Sequence, residues 1–182
     1  RATAIEREEI PGDRNNWEIG GDYEYLSEGG NRFKVLFISN RNNSASTRER
    51  YDVFADGSES KDLFLDLGSV TTERIVRGSY TMGLFEGQDI EFGAERAQTT
   101  LDSSLALGLP SSSGTPSADF GGLVPQAVSN ANSTVEEIRI EPFIIHNWII
   151  NSRMTLESTL LYELSEISQS GDVSRTRDFD FV

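Results

Sequence analysis

The stretch Asn16-Trp17-Glu18-Ile19-Gly20-Gly21-Asp22-Tyr23-Glu24-Tyr25 decides the fold class of this chain. Every second residue from Trp17 to Tyr25 is apolar, aromatic or glycine, and the residues between them are acidic or glycine. Successive side chains of a β-strand point to opposite faces, so this spacing predicts a strand with one apolar and one acidic face. The turn-forming residues from Ser27 to Asn31 follow, and they predict a hairpin.

The same two-residue alternation recurs along the chain, whereas apolar residues at helical spacing do not persist through any long stretch. It predicts about seven strands, at 17–25, 32–38, 76–84, 90–95, 138–148, 154–164 and 178–181. We expect strands of roughly ten residues or more, against about five or six in most soluble proteins. Strands of that length can cross a bilayer at a tilt.

The connections between these strands also alternate, in length. Those at 27–31, 86–88 and 151–152 are short, those at 51–68 and 102–133 are long and polar, and that at 168–174 is modest. Short turns at one end and long loops at the other are typical of outer-membrane β-barrels. We therefore predict an all-β, antiparallel, up-and-down meander of long strands that is part of a transmembrane outer-membrane β-barrel. In this interpretation residues 1–182 are one region, the middle portion of the barrel, and 103–132 is a long extracellular loop.

The apolar faces of these strands carry many aromatic residues, several of them close to the short turns. On the barrel hypothesis they face lipid and form an aromatic girdle. The residues assigned to it are Trp17, Tyr23, Tyr25, Phe33, Tyr80, Phe92, Trp148 and Tyr162. Two alternatives stay open: a soluble all-β module that buries these faces against a second sheet and binds sugar or protein, and a structural piece that self-assembles through its strand edges.

Composition excludes several classes of function. The 182 residues hold 30 Asp+Glu against 16 Lys+Arg, a net charge of −14, which disfavours a nucleic-acid partner because phosphate neutralisation needs a basic face. The absence of Cys excludes disulfides and thiol nucleophiles. No uninterrupted apolar run reaches the ~18 residues of a membrane-spanning helix.

Residue types that could carry chemistry are present, but none forms a recognisable catalytic or metal-binding pattern. The candidates are the single histidine His146, the acidic pairs Glu8-Glu9, Glu136-Glu137 and Asp178/Asp180, and the acidic turn of Asp52, Asp56, Gly57, Ser58 and Glu59. The acidic turn lacks calcium-loop spacing. We expect no enzymatic activity, no cofactor and no metal. Ligand binding is assigned to loops 53–68 and 103–132, since loops commonly carry recognition.

Arginines form the last group of candidates. Arg74, Arg77, Arg96, Arg139, Arg175 and Arg177 fall in predicted strands or beside loops. We expect most of them to pair with glutamates on neighbouring strands, as on a barrel lumen wall. Contact with an anionic ligand such as a ferric chelate is the alternative.

Four phrases of the sequence resemble those of one protein family. The segment Glu18-Ile19-Gly20-Gly21-Asp22-Tyr23-Glu24 resembles the "EIGGDYE" strand of a branch of bacterial TonB-dependent outer-membrane receptors. Asn40-Arg41, after the turn and the next strand, resembles its "NR" segment. Arg77-Gly78-Ser79-Tyr80 is similar to its "RGEY" strand, and 167–172 matches its "ISQSGD" loop. The phrases run in order across most of the chain.

The resemblance implies a fold and a function. Members of this family enclose a plug in a barrel of about 22 strands. They use inner-membrane energy, delivered by a TonB-type protein through the plug, to import a scarce solute such as a ferric siderophore or carbohydrate. We therefore expect a bacterial outer-membrane location and contact with outer-membrane lipid. No segment resembles the plug, and the chain ends on Phe181-Val182 rather than on a terminal aromatic residue, so we expect roughly a third of a barrel wall, from its middle.

Overall fold

A computed structural model describes residues 4–181. The described chain is all β apart from one 3-10 turn at Ala118–Phe120. The strands are β1 (Ala4–Glu9), β2 (Gly12–Leu26), β3 (Arg32–Phe54), β4 (Glu59–Phe85), β5 (Gln88–Leu109), β6 (Val124–Gln126), β7 (Asn132–Asn151), β8 (Met154–Leu161), β9 (Glu163–Gly171) and β10 (Arg175–Phe181). The prediction of an all-β chain with an antiparallel up-and-down sheet is confirmed.

Two prolines lie at breaks in strands that would otherwise be continuous. Pro11 is in the break between β1 and β2, and Pro142 lies on β7 opposite the break between β8 and β9. β1 and β2 pair with β3 in one register, and only Ile10-Pro11 separates them. Pro11 accepts a hydrogen bond from Thr47 N (3.0 Å) but cannot donate one in return. In the same way Pro142 of β7 accepts from Tyr162 N (3.1 Å), at the break between β8 and β9. Counting each interrupted pair once, and leaving out the short β6, the sheet has the seven strands that the alternation predicts.

The sheet follows chain order, β1/β2–β3–β4–β5–β7–β8/β9–β10, with every pairing antiparallel. It is open: β1/β2 forms one edge and β10 the other. The central strands β3, β4 and β5 are 23, 27 and 22 residues long. These lengths far exceed the roughly three to ten residues usual in globular proteins.

The three short turns step along the strand axis in one direction. Leu26 and Arg32 close the first turn and align with Thr81 of β4, but β4 runs on to Phe85 before the second turn. Gln88, which follows that turn, aligns with Trp148, but β7 runs on to Asn151 before the third. Such a cumulative stagger is the shear that a sheet needs if it is to close into a barrel.

The sheet is a single layer with little interior. Among residues 4–181 only Ala97, Val124 and Phe143 are buried apolar residues, and no large side chain is fully buried. No helix among these residues is long and apolar enough to cross a membrane. Most of the apolar side chains that alternate along the strands therefore have no protein layer over them.

The prediction of the first long loop, 53–68, is wrong for most of its length. β3 continues to Phe54 and β4 begins at Glu59, so only Ala55–Ser58 form a turn. The sequence misleads here because apolar residues such as Leu63-Phe64-Leu65 do not alternate with polar ones. Polar side-chain pairs hold the hairpin: Thr47 donates to Asp66 (2.8 Å) and Arg50 pairs with Asp62 (2.7 Å). The second loop, 103–132, is also shorter than predicted, since β5 extends to Leu109 and β7 begins at Asn132.

Candidate functional site: the two faces of the sheet

Each long strand can be described by two halves along its length and by the two faces to which its side chains alternate. We call the half nearer the three short turns the turn half, and the remainder the far half. The aromatic face carries Tyr25, Phe33, Tyr80 and Phe92, and the opposite face, with Arg77 and Glu95, is the charged face. Because side chains alternate, each face keeps its own set of residues between the register shifts at Arg50/Tyr51, Gly83/Phe85 and Ile149/Asn151.

The turn half of the aromatic face is an exposed apolar band. One cross-strand row runs through six strands and is apolar or aromatic at every position, namely Tyr25, Phe33, Tyr80, Phe92, Ile144 and Leu160. Tyr80 and Phe92 pack with ring centroids 5.6 Å apart. Tyr25 is 55% exposed and Ile144 is 45% exposed. An apolar patch this long is unusual on the surface of a soluble monomer.

All eight residues assigned to the aromatic girdle lie on this face. Trp17, Tyr23, Tyr25, Phe33, Phe92, Trp148 and Tyr162 are exposed, and Tyr80 is half-buried. Trp148 lies near the third short turn, whereas Trp17 lies farther along the sheet, opposite Arg41. None of the eight is enclosed by residues 4–181, so contact with lipid stays a prediction.

The turn half of the charged face holds a network of ion pairs. Arg77 and Arg139 approach Glu95 from the two neighbouring strands, at 3.8 and 3.6 Å, and Arg139 also pairs with Glu141 at 2.8 Å. The Arg77 guanidinium lies over the Phe143 ring, 4.4 Å from its centroid. Phe143 is 6% exposed. Three strands are thus tied together beneath the apolar band.

Gly93 makes room for the Phe143 ring. A Cβ at Gly93 would lie 2.6 Å from the ring and 2.9 Å from Ser79 Cβ, and would also collide with the carbonyl oxygen of Gly78. No ordinary Cβ is found that close to neighbouring atoms. Glycine is therefore required at position 93 by packing.

The far half reverses this pattern. On the aromatic face small polar residues replace the apolar band and line an open groove of about 600 Å³ that crosses the sheet. Its lining includes Asn15, Asn43, Asp102, Ser104, Asn132 and Ser170. On the charged face β4 and β5 instead carry leucines, at 65, 67, 101, 105 and 107. The apolar side of the strands has exchanged faces.

A hydrogen-bonded cluster closes the far end of β3 and β4. Lys61 Nζ donates to Glu49 Oε1 (2.7 Å), and Tyr51 donates to Glu49 Oε2 (2.5 Å). These hydrogen bonds lower the pKa of the Glu49 carboxyl, Lys61 contributing more than Tyr51. The bond to Glu49 and partial burial raise the pKa of Tyr51. Lys61 also donates to the Gly121 carbonyl (3.1 Å), so the cluster anchors the connection 110–131 to the sheet.

The candidate catalytic residues lie apart from one another, in separate structural contacts. His146 Nε2 is 3.0 Å from Gln88 Oε1. Glu8 pairs with Arg48 and Glu9 with Arg7, while Glu136 and Glu137 accept hydrogen bonds from Gln98 and Ser165. Asp180 is 3.4 Å from the Tyr162 hydroxyl. Residues 4–181 contain no group of three or more His, Asp or Glu side chains placed to share a metal ion.

The acidic turn is held by two hydrogen bonds within the loop. Asp56 Oδ1 accepts from Ser58 Oγ (2.6 Å) and Ser58 N (2.9 Å), and these bonds lower the pKa of Asp56. Gly57 has φ +83°, which suits glycine. Glu59 leaves the turn and pairs with Arg7 (2.6 Å). The arrangement is that of a tight hairpin turn.

The expected pairing of arginines is found for two of the six candidates. Arg77 and Arg139, on the charged face, pair with glutamates as described above. Within residues 4–181, Arg74, Arg96, Arg175 and Arg177 have no carboxylate within 4.0 Å. Arg74 and Arg96 lie on the aromatic face, opposite the face that carries Glu95 and Glu141.

The sequence was compared with protein-family models and with curated proteins. No family model matches the chain, and no curated protein matches it significantly.

Proposed function

We propose that this chain forms part of the wall of an outer-membrane β-barrel that works as a TonB-dependent receptor, importing a scarce solute such as a ferric siderophore or carbohydrate. The observation that carries the proposal is the exposed apolar band on the aromatic face, spread across six long strands. The sequence phrases that resemble this receptor family supply the transport part. The remaining support comes from the shape and edges of the sheet.

The dimensions of the strands suit a bilayer. A tilted strand of about nine to eleven residues crosses the hydrocarbon layer. β3, β4, β5 and β7 have 20 to 27 residues each, enough to cross it and to continue well beyond it. On the aromatic face the turn half is apolar, as suits the part of each strand that crosses the bilayer. The far half is polar, as suits the part that continues beyond it.

The two edges and the stagger support incorporation into a larger closed sheet. An exposed strand edge leaves backbone N–H and C=O groups without partners, and membrane strands satisfy them by closing a barrel. The one-directional step of the short turns supplies the shear that closure requires. In the proposed barrel the ion pairs of Arg77, Glu95 and Arg139 face the lumen, and the connection 110–131 lies on the extracellular side.

The soluble alternative would need a second layer over the apolar band. Residues 4–181 provide no such layer, since every residue of the row from Tyr25 to Leu160 is exposed except the half-buried Tyr80. A soluble module would thus have to bury the band in a dimer or against another protein. Extraction of the full chain from membranes only by detergent supports the barrel, and a monodisperse monomer in plain buffer contradicts it.

Labelling in intact bacteria tests the orientation, because the chain contains no Cys of its own. Ser112→Cys places a thiol in the connection 110–131, and Glu28→Cys places one in the first short turn. With a membrane-impermeant maleimide we expect labelling of Ser112→Cys in intact cells and of Glu28→Cys only after lysis. Equal labelling of both in intact cells would contradict the proposed orientation.

The transport part is tested by uptake. Cells that express the complete receptor, with this chain as part of its barrel, should accumulate a ⁵⁵Fe-labelled ferric siderophore or a radiolabelled oligosaccharide. A protonophore should abolish the accumulation. Uptake of the solute that resists the protonophore would indicate a passive pore, and the TonB-dependent assignment would then be wrong.

A further inference from the structure

Three arginines form a diagonal row on the aromatic face, at the far border of the apolar band. Arg41 of β3 lies opposite Thr72, and Arg74 is two residues farther along β4. Arg74 lies opposite Gln98, and Arg96 is two residues from Gln98 along β5. Diagonal neighbours in an antiparallel sheet are about 7–8 Å apart. We call Arg41, Arg74 and Arg96 the arginine row.

The row runs parallel to the stagger of the sheet. Both steps, from Arg41 to Arg74 and from Arg74 to Arg96, go towards the short turns, which is also the direction in which successive turns are displaced. In a sheet whose strands tilt by this stagger, the three residues lie at one height. On the turn side, Val76 follows Arg74 and Ala94 follows Arg96 on this face, whereas Ser39 separates Arg41 from Phe37 of the band.

The charges of the row are unopposed within the described part of the chain. All three residues are exposed, and none has a carboxylate within 4.0 Å in residues 4–181. Their direct cross-strand partners on the aromatic face are uncharged: Trp17, Ser39, Thr72, Val76, Gln98 and Ile140. Arg41 makes one side-chain hydrogen bond, from Nε to Asn43 Oδ1 (3.0 Å).

The charged face offers a direct contrast. Arg32, Arg77 and Arg139 each have a glutamate within 4.0 Å, although Arg77 is only three residues from Arg74 on the same strand. Seven of the thirteen arginines in residues 4–181 have no carboxylate within 4.0 Å, and the three of them in this row stand in one line at the border of an apolar surface, where an anionic partner would neutralise them. A guanidinium is suited to phosphate because it donates two parallel hydrogen bonds.

We propose that the arginine row binds the phosphate groups of anionic membrane lipids, whose acyl chains lie on the apolar band. This inference rests on the proposed function, since it needs the band to face lipid. Trp17, the cross-strand partner of Arg41, lies at the same border, where tryptophan is favoured at a membrane–water interface. The row thus marks the height of one headgroup layer.

Trp17 provides a local probe of the bound lipid. The chain has two tryptophans, so Trp148→Phe leaves Trp17 as the only one. We would reconstitute the full chain with this substitution into bilayers that contain brominated phosphatidylglycerol or, at the same mole fraction, brominated phosphatidylcholine. The ratio of the two quenching curves gives the preference for the anionic lipid beside Arg41. We expect phosphatidylglycerol to quench more strongly.

The variant Arg41→Gln, Arg74→Gln, Arg96→Gln should abolish this preference, with a loss of about fivefold in relative association for each arginine removed. The matched control is Arg32→Gln, Arg77→Gln, Arg139→Gln, which removes the same charge from the charged face and should keep the preference. Arg74→Gln and Arg77→Gln give the same comparison with single changes, if a triple variant does not fold. Loss of preference in both sets would overturn the proposal, because net charge would then be its cause.

Two further outcomes separate the sources of failure. Equal quenching by both lipids means that the band faces lipid but that the arginine row does not select the anionic headgroup, so only the present inference fails. No quenching by either lipid means that the proposed membrane function fails as well. A third arm adds inorganic phosphate against chloride at matched ionic strength. An unchanged preference supports a lipid site, and specific competition by phosphate would overturn it in favour of a soluble anion.

Discussion

The turn half and the far half of the same strands carry their apolar residues on opposite faces. In the turn half the aromatic face is apolar and exposed, and the charged face behind it is tied by Arg77, Glu95 and Arg139. In the far half the aromatic face is polar, and leucines of β4 and β5 occupy the charged face. The comparison teaches that a strand of 27 residues is not one amphipathic unit. Each half has its own division of apolar and polar residues between the two faces.

The largest difference between the halves should appear when a charge is added to the aromatic face. Ile144→Arg places a guanidinium in the middle of the apolar band, where transfer into hydrocarbon costs about 2–4 kcal/mol. Ser104→Arg places the same group in the far half, where it stays in water, and should cost well under 1 kcal/mol. Urea titration of folding into bilayers measures both. Similar costs at the two positions would show that the band does not face lipid.

The second prediction concerns the packing that ties the turn half together. Gly93→Ala should destabilise the sheet by about 1–3 kcal/mol, because the new methyl group overpacks against the Phe143 ring and the backbone of Gly78. Gly21→Ala is the control, since a Cβ there meets nothing within 4 Å. Thermal or urea unfolding gives the two values. A neutral Gly93→Ala would mean that the Phe143 ring can move aside at little cost.

The smallest expected effect is the pH dependence of the far half. Hydrogen bonds from Lys61 and Tyr51 keep the pKa of Glu49 below its ordinary value of 4.5 in the folded state. The stabilisation is therefore complete above that pH and is lost as the pH falls through the lowered pKa. It should amount to no more than about 1 kcal/mol. Hydrogen exchange of residues 49–64, corrected for the intrinsic rate, should show an acid loss of protection.

Glu49→Gln tests the assignment of that pH dependence. The variant cannot ionise at position 49, so the difference between it and the unmodified chain isolates the one carboxyl. We expect the acid loss of protection to become smaller in the variant, while the turn half near Ile144 shows the same exchange in both proteins. An identical pH profile of residues 49–64 in the two proteins would assign the effect to other groups, such as Asp62, whose pKa Arg50 lowers.

Turn chemistry and alternation were sufficient to locate the hairpins of the turn half. Ser27 to Asn31 is a turn as predicted, with φ +80° at Gly30, and the other short turns fall within a residue or two of their predicted positions. The prediction of a loop at 53–68 is wrong because polar pairs between the strands hold this hairpin, and its apolar residues do not alternate with polar ones. Arg50 and Asp62, or Glu49 and Lys61, become recognisable as partners only when the register is known.

The sequence by itself determined the all-β class, the number of strands and the apolar side of the strands in the turn half, because these depend on neighbours within a few residues. Only the tertiary structure decided the register, and with it the stagger, the row from Tyr25 to Leu160 and the unpaired arginine row. Arg41, Arg74 and Arg96 are widely separated in the chain, and pairing between strands brings them into line. Register is a cooperative property of the sheet, since a slip by one residue would turn every side chain of a strand to the other face.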